Sequence, residues 1–270
     1  MSGNNSVDRD LLSLRVNGYC VLEGIIPQPQ CDEIRERVLA TVEREASSGA
    51  PKKIGFVPGL INHEQSFAPY LVDDHLLAVA RAALGHNLRI SFTSAIVNFT
   101  GNERGEWHAD WPFNQKNAAH ITAPYPDAVV HLTTLWMISP FREENGGTLV
   151  VPGSHRSQTN PTVGDLHELR SPFPGEMHVT GEAGSILLMD SRLWHTTAPS
   201  RVEQPRVALA VRYAPWWLNL EPLRPESFQR DQLIEETGQD SNIVPSLPRS
   251  VYEQLPEKVK PLYRHWIWEE

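Results

Sequence analysis

Cysteine is nearly missing from this sequence. Of 270 residues only Cys20 and Cys31 are cysteines, eleven positions apart near the N-terminus. Two are too few for a disulfide framework or a closed zinc site, so they read as buried or spare thiols. Long apolar runs are also missing. No stretch approaches the eighteen or so residues of a membrane span, and residues 1–10 are polar, without the basic start and apolar run of a secretory signal. Nor is there an excess of positive charge. Lys and Arg number 24 against 33 Asp and Glu, a formal charge of −9. No global field draws phosphate backbones in, and no nucleic-acid partner is expected. Together these absences predict a cytoplasmic chain with no membrane partner.

What is present is ordinary globular material: 40% hydrophobic, 21% charged and 8% aromatic residues, enough to close a core. The length predicts one domain, with helical N-terminal support over 8–86, a β-rich core over 88–215 and a helical extension over 216–270. A short helix is expected over 8–16, stopped by Asn17-Gly18, and then a strand over 19–22. Residues 28–46 form a clear amphipathic helix, with Ile34, Val38 and Val42 on one face and Glu33 and Arg37 able to pair at i,i+4. Residues 50–68 mix Pro, Gly and Asn and are expected to be loops. A second helix spans 72–84 with Gly85 in the stop position.

The pattern then changes to short β-branched or apolar runs at 89–100, 129–138, 148–151, 185–189 and 207–213, punctuated by turn residues. Many strands with no helices between them predict an antiparallel barrel or jelly roll rather than βαβ units. After Trp216 the chain is Pro-rich, with further helices expected over 225–236 and 251–266.

The chemistry-bearing residues lie in this β-rich part. His108 and Asp110 are one residue apart, so on extended backbone both side chains leave the same face and can reach one ion. A third ligand must come from a distant strand, and His195, eighty-five residues after Asp110, follows the run 185–189. Two imidazoles and a carboxylate occupy one face of a six-coordinate ion and leave three positions open. A lone His-x-Asp, or a lone His after a strand, is more often a surface or core residue; order and distance raise the odds. Arg206, eleven residues after His195, opens the last strand, and its planar fork can clamp a dicarboxylate whose other end chelates the metal. Arg201 and Arg212 are its rivals. His155 is read as fixing the loop after Pro152-Gly153, and His120 and His131 have no partner at ligand spacing.

The sequence resembles the phytanoyl-CoA dioxygenase-like family of Fe(II)/2-oxoglutarate-dependent oxygenases over most of its length. The resemblance rests on 17–24 (NGYCVLEG), Trp107-His108-Ala109-Asp110, the segment 145–155 (NGGTLVVPGSH), and His195 and Arg206 at the family spacing. It implies a mainly β chain, a double-stranded β-helix (jelly roll, cupin-like) of about eight core strands with flanking α-helices. It implies His108, Asp110 and His195 as iron ligands and Arg206 as the 2-oxoglutarate anchor. Thr197 matches a hydroxyl assisting at the same carboxylate, Trp136 an aromatic position near the cosubstrate, and Asn98 a polar position that faces it. The implied cofactors are Fe(II), 2-oxoglutarate as cosubstrate and O₂, with succinate and CO₂ released. Since Asp110 fills the carboxylate position, hydroxylation of a small organic molecule is expected rather than halogenation.

Trp107, Trp111 and Phe113 surround the metal motif and are candidate liners of a substrate pocket, or equally core residues. Arg212 shares a strand face with Arg206, where it meets an anionic substrate or forms a salt bridge. Residues 114–127 are expected to form a loop or lid. The partner is a small-molecule substrate and the chain a monomer or homodimer. Two alternatives stand beside hydroxylation: desaturation, cyclisation or epimerisation at the same iron centre, and a barrel that binds a metal or ligand without turnover.

Overall fold

A computed structural model describes residues 3–117, 119–162, 168–225 and 227–268. The chain begins with helix α1 (Gly3–Asn17), strand β1 (Tyr19–Leu22) and helix α2 (Gln28–Glu45). The expected apolar face of α2 is buried through Ile34, Val38 and Val42, and Arg37 pairs with Glu33 at 2.8 Å. Helix α3 (Asp74–Leu84) starts where Asp73 accepts from the His75 and Leu76 amides, and it ends at Gly85, whose φ of 92° favours glycine.

Six strands form the large sheet. In addition to β1 they are β2 (Ile54–Pro58), β3 (Leu88–Asn98), β4 (Leu132–Met137), β7 (Ile186–Asp190) and β9 (Arg206–Pro215), in the order β1-β7-β4-β9-β3-β2. Every neighbouring pair in it is antiparallel. A smaller sheet holds β5 (Thr148–Val150), β6 (Met177–His178) and β8 (His195–Thr197) in the order β6-β5-β8. The double-stranded β-helix is this pair of sheets, with helices packed on the outer side of the large one.

Residues 50–68 do not consist of loops alone, because β2 lies within them. Its signal was masked by Gly55 and Pro58. Glycine is required at 55 since a Cβ there would lie 2.4 Å from the Val42 side chain of α2. The helix expected over 251–266 is likewise broken, into α5 (Arg249–Gln254) and α6 (Lys260–Tyr263). Pro256 interrupts the run, since proline lacks the N–H that a continuing helix needs, and Pro261 sits in the first turn of α6, where that N–H is not required. Ahead of these, α4 (Phe228–Thr237) opens on Ser227, whose hydroxyl accepts from the Arg230 amide. Residue 226, in the helix expected over 225–236, and residues 269–270 of the extension lie outside the described residues.

Strand parity divides the large sheet into two faces. Cross-strand pairs Asn98↔Arg206, Ile96↔Ala208, Ser94↔Ala210 and Thr133↔Arg212 place these residues on the face toward the small sheet. The alternate residues Val207, Leu209, Val211 and Tyr213 pack toward the helices in the main apolar core. The two cysteines belong to that core: Cys20 is 3% exposed and Cys31 fully buried. Burial pushes their thiols up to about 12 and about 11. Iodoacetamide at pH 8 is therefore expected to leave both unmodified in the native chain and to modify both in urea; labelling of either one before unfolding would contradict this packing. Among the described residues no helix is long and apolar enough to cross a membrane.

Candidate active site

Residues 105–110 run antiparallel beside β8 and extend the small sheet by one bridged strand. Gly105 N–H donates to the Thr197 carbonyl, His108 and His195 exchange backbone hydrogen bonds of 3.1 and 3.0 Å, and Asp110 N–H donates to the Ser191 carbonyl. Glycine is needed at 105, where a Cβ would come within 2.9 Å of the Thr196 hydroxyl. This pairing brings the imidazoles of His108 and His195 side by side, ring centroids 4.3 Å apart and planes tilted by 55°. Parity then carries Asp110 to the same side, with its Oδ2 3.7 Å from His195 Nε2. The ligand atoms of the three residues lie within 4.8 Å of one another.

Each of these three side chains is held by a second partner. His108 Nδ1 donates to the Glu106 carbonyl at 2.8 Å and His195 Nδ1 to the Leu193 carbonyl at 2.9 Å. Both rings therefore keep Nε2 free to bind a cation. Burial, then the neighbouring His108, push His195 down to about 4, so its ring is neutral and able to ligate at pH 7. Burial alone would raise the Asp110 carboxyl, but the Arg212 guanidinium above all outweighs it and holds the group well below the usual carboxylate range. Arg212 Nη2 donates to Oδ1 at 2.5 Å, and the Thr133 hydroxyl donates to Oδ2 at 2.7 Å.

Arg206 sits on the same interior face, 2% exposed. Nη2 donates to Asn98 Oδ1 at 2.8 Å, the guanidinium lies 4.5 Å over the Phe141 ring, and Nε is buried with no partner. Asn98 in turn donates to the Gly146 carbonyl, and Gly146 lies in the NGG turn at φ +79°, so Asn98 ties that turn to Arg206. No carboxylate lies within ion-pairing distance of Arg206 among the described residues. Burial lowers it to about 9, which leaves it charged at neutral pH. An uncompensated buried charge costs several kcal/mol, so the geometry calls for an anion.

A family model for phytanoyl-CoA dioxygenase (PhyH) matches residues 14–208, a span that includes the triad and Arg206. The chain belongs to the phytanoyl-CoA dioxygenase family. A relative named dioxygenase af480, from Aspergillus fumigatus, is 27% identical over 239 residues, 83% of this chain and 71% of its own. Among solved structures, HygX from Streptomyces hygroscopicus with nickel, 2-oxoglutarate and hygromycin B bound superimposes with a TM-score of 0.64 at 18% identity, covering 87% of this chain and 95% of that one. The epimerase SnoN, in complex with Fe3+, alpha ketoglutarate and nogalamycin RO, gives 0.62 at 19%, covering 78% and 84%. The enzyme is an Fe(II)- and 2-oxoglutarate-dependent dioxygenase, and the reading as a barrel without turnover falls away.

Several residues expected at the site lie elsewhere in this dioxygenase. Trp136 pairs with Leu209 and Ile186, so parity turns it to the helix-packed face, away from Arg206. There its indole N–H donates to the Thr134 hydroxyl at 2.8 Å, and Leu135 takes the interior position instead. Trp107 points out of the small sheet into a cluster with Leu149, Val151, Trp194 and Ala198, its indole donating to the Ser171 carbonyl. Trp111 donates to the Ala119 carbonyl and meets His131 edge-on at 5.3 Å. Phe113 packs at 5.2 Å on Tyr125. All four are buried packing residues.

Thr197 shares the parity of His195 and lies on the wall of a cavity of about 540 Å³ that opens beside His108. Its other walls include Lys52, Arg104, Glu106, Asn114, Lys116 and Arg170. Sequence reasoning missed Lys52, Arg104, Glu106 and Arg170: only the register of 105–110 against β8 turns Arg104 and Glu106 to this opening, and Lys52 and Arg170 come from separate segments with no pattern of their own. Glu106 links two inserts across the opening, accepting from Lys116 at 2.8 Å on one side, with Arg170 3.8 Å away on the other. Lys116 and Asn114 belong to the expected lid over 114–127, of which residue 118 lies outside the described residues.

The remaining histidines have other tasks. His155 Nε2 donates to the Arg15 carbonyl across the loop it closes, and His120 Nδ1 bonds the Asn117 carbonyl. His131 is fully buried next to the metal motif, between Ser91 and Ser191.

Proposed function

We propose that this dioxygenase hydroxylates a small polar molecule, with His108, Asp110 and His195 holding Fe(II) and Arg206 clamping the far carboxylate of 2-oxoglutarate. The observation that carries the reading is the buried, anion-less guanidinium of Arg206 in the same barrel as the His-Asp-His cluster. When bound, iron and 2-oxoglutarate supply oxidation by O₂ with release of succinate and CO₂.

The chain's own part is placement. The Glu106 and Leu193 carbonyls fix the two imidazole tautomers, Arg212 and Thr133 fix the carboxylate, and Asn98 aims Arg206. Ala208 and Ala210, between Arg206 and Arg212 on the same face of β9, leave room for the cosubstrate's short carbon chain. Thr197 stands at the cavity wall as the assisting hydroxyl. Walls of mixed charge and amide groups favour a substrate rich in hydroxyl, amine or carboxylate groups over an acyl chain. Epimerisation or ring closure runs on the same ligands, because the outcome depends on which substrate C–H bond is placed nearest the metal.

Succinate formation by anaerobically iron-loaded protein exposed to O₂, scanned across polar small acids, amines, polyols and acyl thioesters, tests the reading, and the product of the compound that raises succinate separates hydroxylation from the alternatives. An acyl thioester as the sole stimulating compound would refute the polar-substrate reading. Arg206→Gln is expected to weaken 2-oxoglutarate binding about 100-fold, the loss of roughly 3 kcal/mol of charge-assisted hydrogen bonding. Metal affinity should stay unchanged. Unaltered 2-oxoglutarate affinity in that variant would move the anchor to Arg201 or Arg212.

A further inference from the structure

Behind Asp110 a line of four buried polar side chains runs away from the cavity. The Thr133 hydroxyl, 2.7 Å from Asp110 Oδ2, is 2.9 Å from the Ser191 hydroxyl; Ser191 is 2.7 Å from His131 Nδ1, and His131 Nε2 is 2.7 Å from the Ser91 hydroxyl. None of the four is more than 1% exposed. Ser91 reaches this line because β3 carries a bulge between Ile90 and Phe92, where the register against β9 shifts. Bulges beside active sites commonly re-aim a side chain in this way.

The direction of every bond in the line follows from its two ends. An ionised carboxylate only accepts, so Thr133 donates to Asp110. The Thr133 oxygen must then accept from Ser191, whose own oxygen accepts the Nδ1 proton of His131. Burial pushes His131 down to about 3, so it is neutral and its Nε2 accepts from Ser91. Every hydroxyl proton then has an acceptor; that of Ser91 has His131 Nε2 at 2.7 Å as the nearer one, with the Arg212 carbonyl at 3.4 Å. The four segments that meet here could have done so with apolar side chains at no desolvation cost. A polar line that ends on one oxygen of one carboxylate points to a task at that oxygen.

We propose that His131 is a positioning residue which, through Ser191, holds the Thr133 hydroxyl on the metal-facing oxygen of Asp110, while Arg212 holds the other oxygen. The carboxylate is then fixed at both oxygens, and Oδ2 presents one defined lone pair toward His108 and His195. The proposal rests on Asp110 being a metal ligand.

The experiment is Mn(II) titration of the full-length chain followed by electron paramagnetic resonance, with ¹⁵N nuclear magnetic resonance of the metal-free wild type. Thr133→Val and His131→Leu are each expected to weaken Mn(II) binding about 10- to 100-fold, the usual effect of losing an outer partner of a ligand. His131→Asn, whose amide N–H can stand where Nδ1–H stands, should restore most of it. In the Thr133→Val background His131→Leu should have no further effect, since the line is already cut. In the wild type His131 should carry its proton on Nδ1, which is readable without any variant. The opposite tautomer, or an undiminished effect of His131→Leu in the Thr133→Val background, would overturn the proposal. An Asp110→Asn variant that binds Mn(II) normally would instead overturn the ligand assignment beneath it, so the two failures are distinct.

Discussion

Asp110→Asn is expected to abolish succinate formation and, in the metal-free protein, to lower the melting temperature by on the order of 5–10 °C. The two losses have separate causes. Turnover disappears because the neutral amide is a poor ligand and leaves two imidazoles to hold the iron. Stability falls because Arg212, with its side chain 14% exposed and its guanidinium stacked 4.6 Å over Phe92, has no other carboxylate within reach among the described residues. Breaking a buried pair by removing one partner costs about 3–5 kcal/mol, most of it the charge left behind. His195→Ala separates the effects, since it too should stop turnover but leaves the Asp110–Arg212 pair whole. Its melting temperature without metal should therefore stay well above that of Asp110→Asn. Equal melting temperatures for the two variants would mean that Arg212 finds another partner and that the pair contributes little.

Much of the frame could be read from local sequence pattern. His108 and Asp110 share a face because side chains alternate along extended backbone, and that rule needs no knowledge of the partner strand. His195 and Arg206 were found by distance and order. The aromatic residues resisted the same treatment. Whether Trp136 faces the barrel or the helices depends on its pairing with Leu209 rather than Ala208, and a slip of one residue reverses the answer. Trp107 and Trp111 flank His108 and Asp110 at odd spacing, so the parity that aims the ligands inward aims these two away. The line behind Asp110 was illegible for a different reason. Ser91 and Ser191 lie 40 and 60 residues from His131, and single hydroxyls carry no pattern of their own. Arg212 could be placed on the right face, but its partner is Asp110 of the candidate metal cluster, which only the folded chain brings within 2.5 Å.

Acid should unfold the metal-free protein over a window set by histidines. Burial pushes His131 down to about 3, His195 to about 4 and His265 to about 3, and it lowers His155 as well. Histidine in an unfolded chain takes up its proton near pH 6.5. Each of the three is thus neutral in the fold and protonated in the unfolded chain between those limits. Their contribution is fully present above about pH 6.5 and is lost as pH falls, down to about 4 for His195 and about 3 for His131 and His265. The slope is about 1.4 kcal/mol per pH unit for each proton, so three histidines give roughly 4 kcal/mol per unit. Asp110 does not add to this window, since its depressed carboxyl keeps its charge until far lower pH. Urea unfolding at pH 7, 6 and 5 measures the slope before the other carboxylates begin to titrate. His265 offers a control outside the metal cluster, because its Nε2–H donates to the Ile90 carbonyl. His265→Gln keeps an N–H donor and should remove about a third of the slope. A stability that stays flat from pH 6.5 to 5 would mean that these rings gain protons without unfolding the chain, and so that they are far less buried than their neighbours in the core.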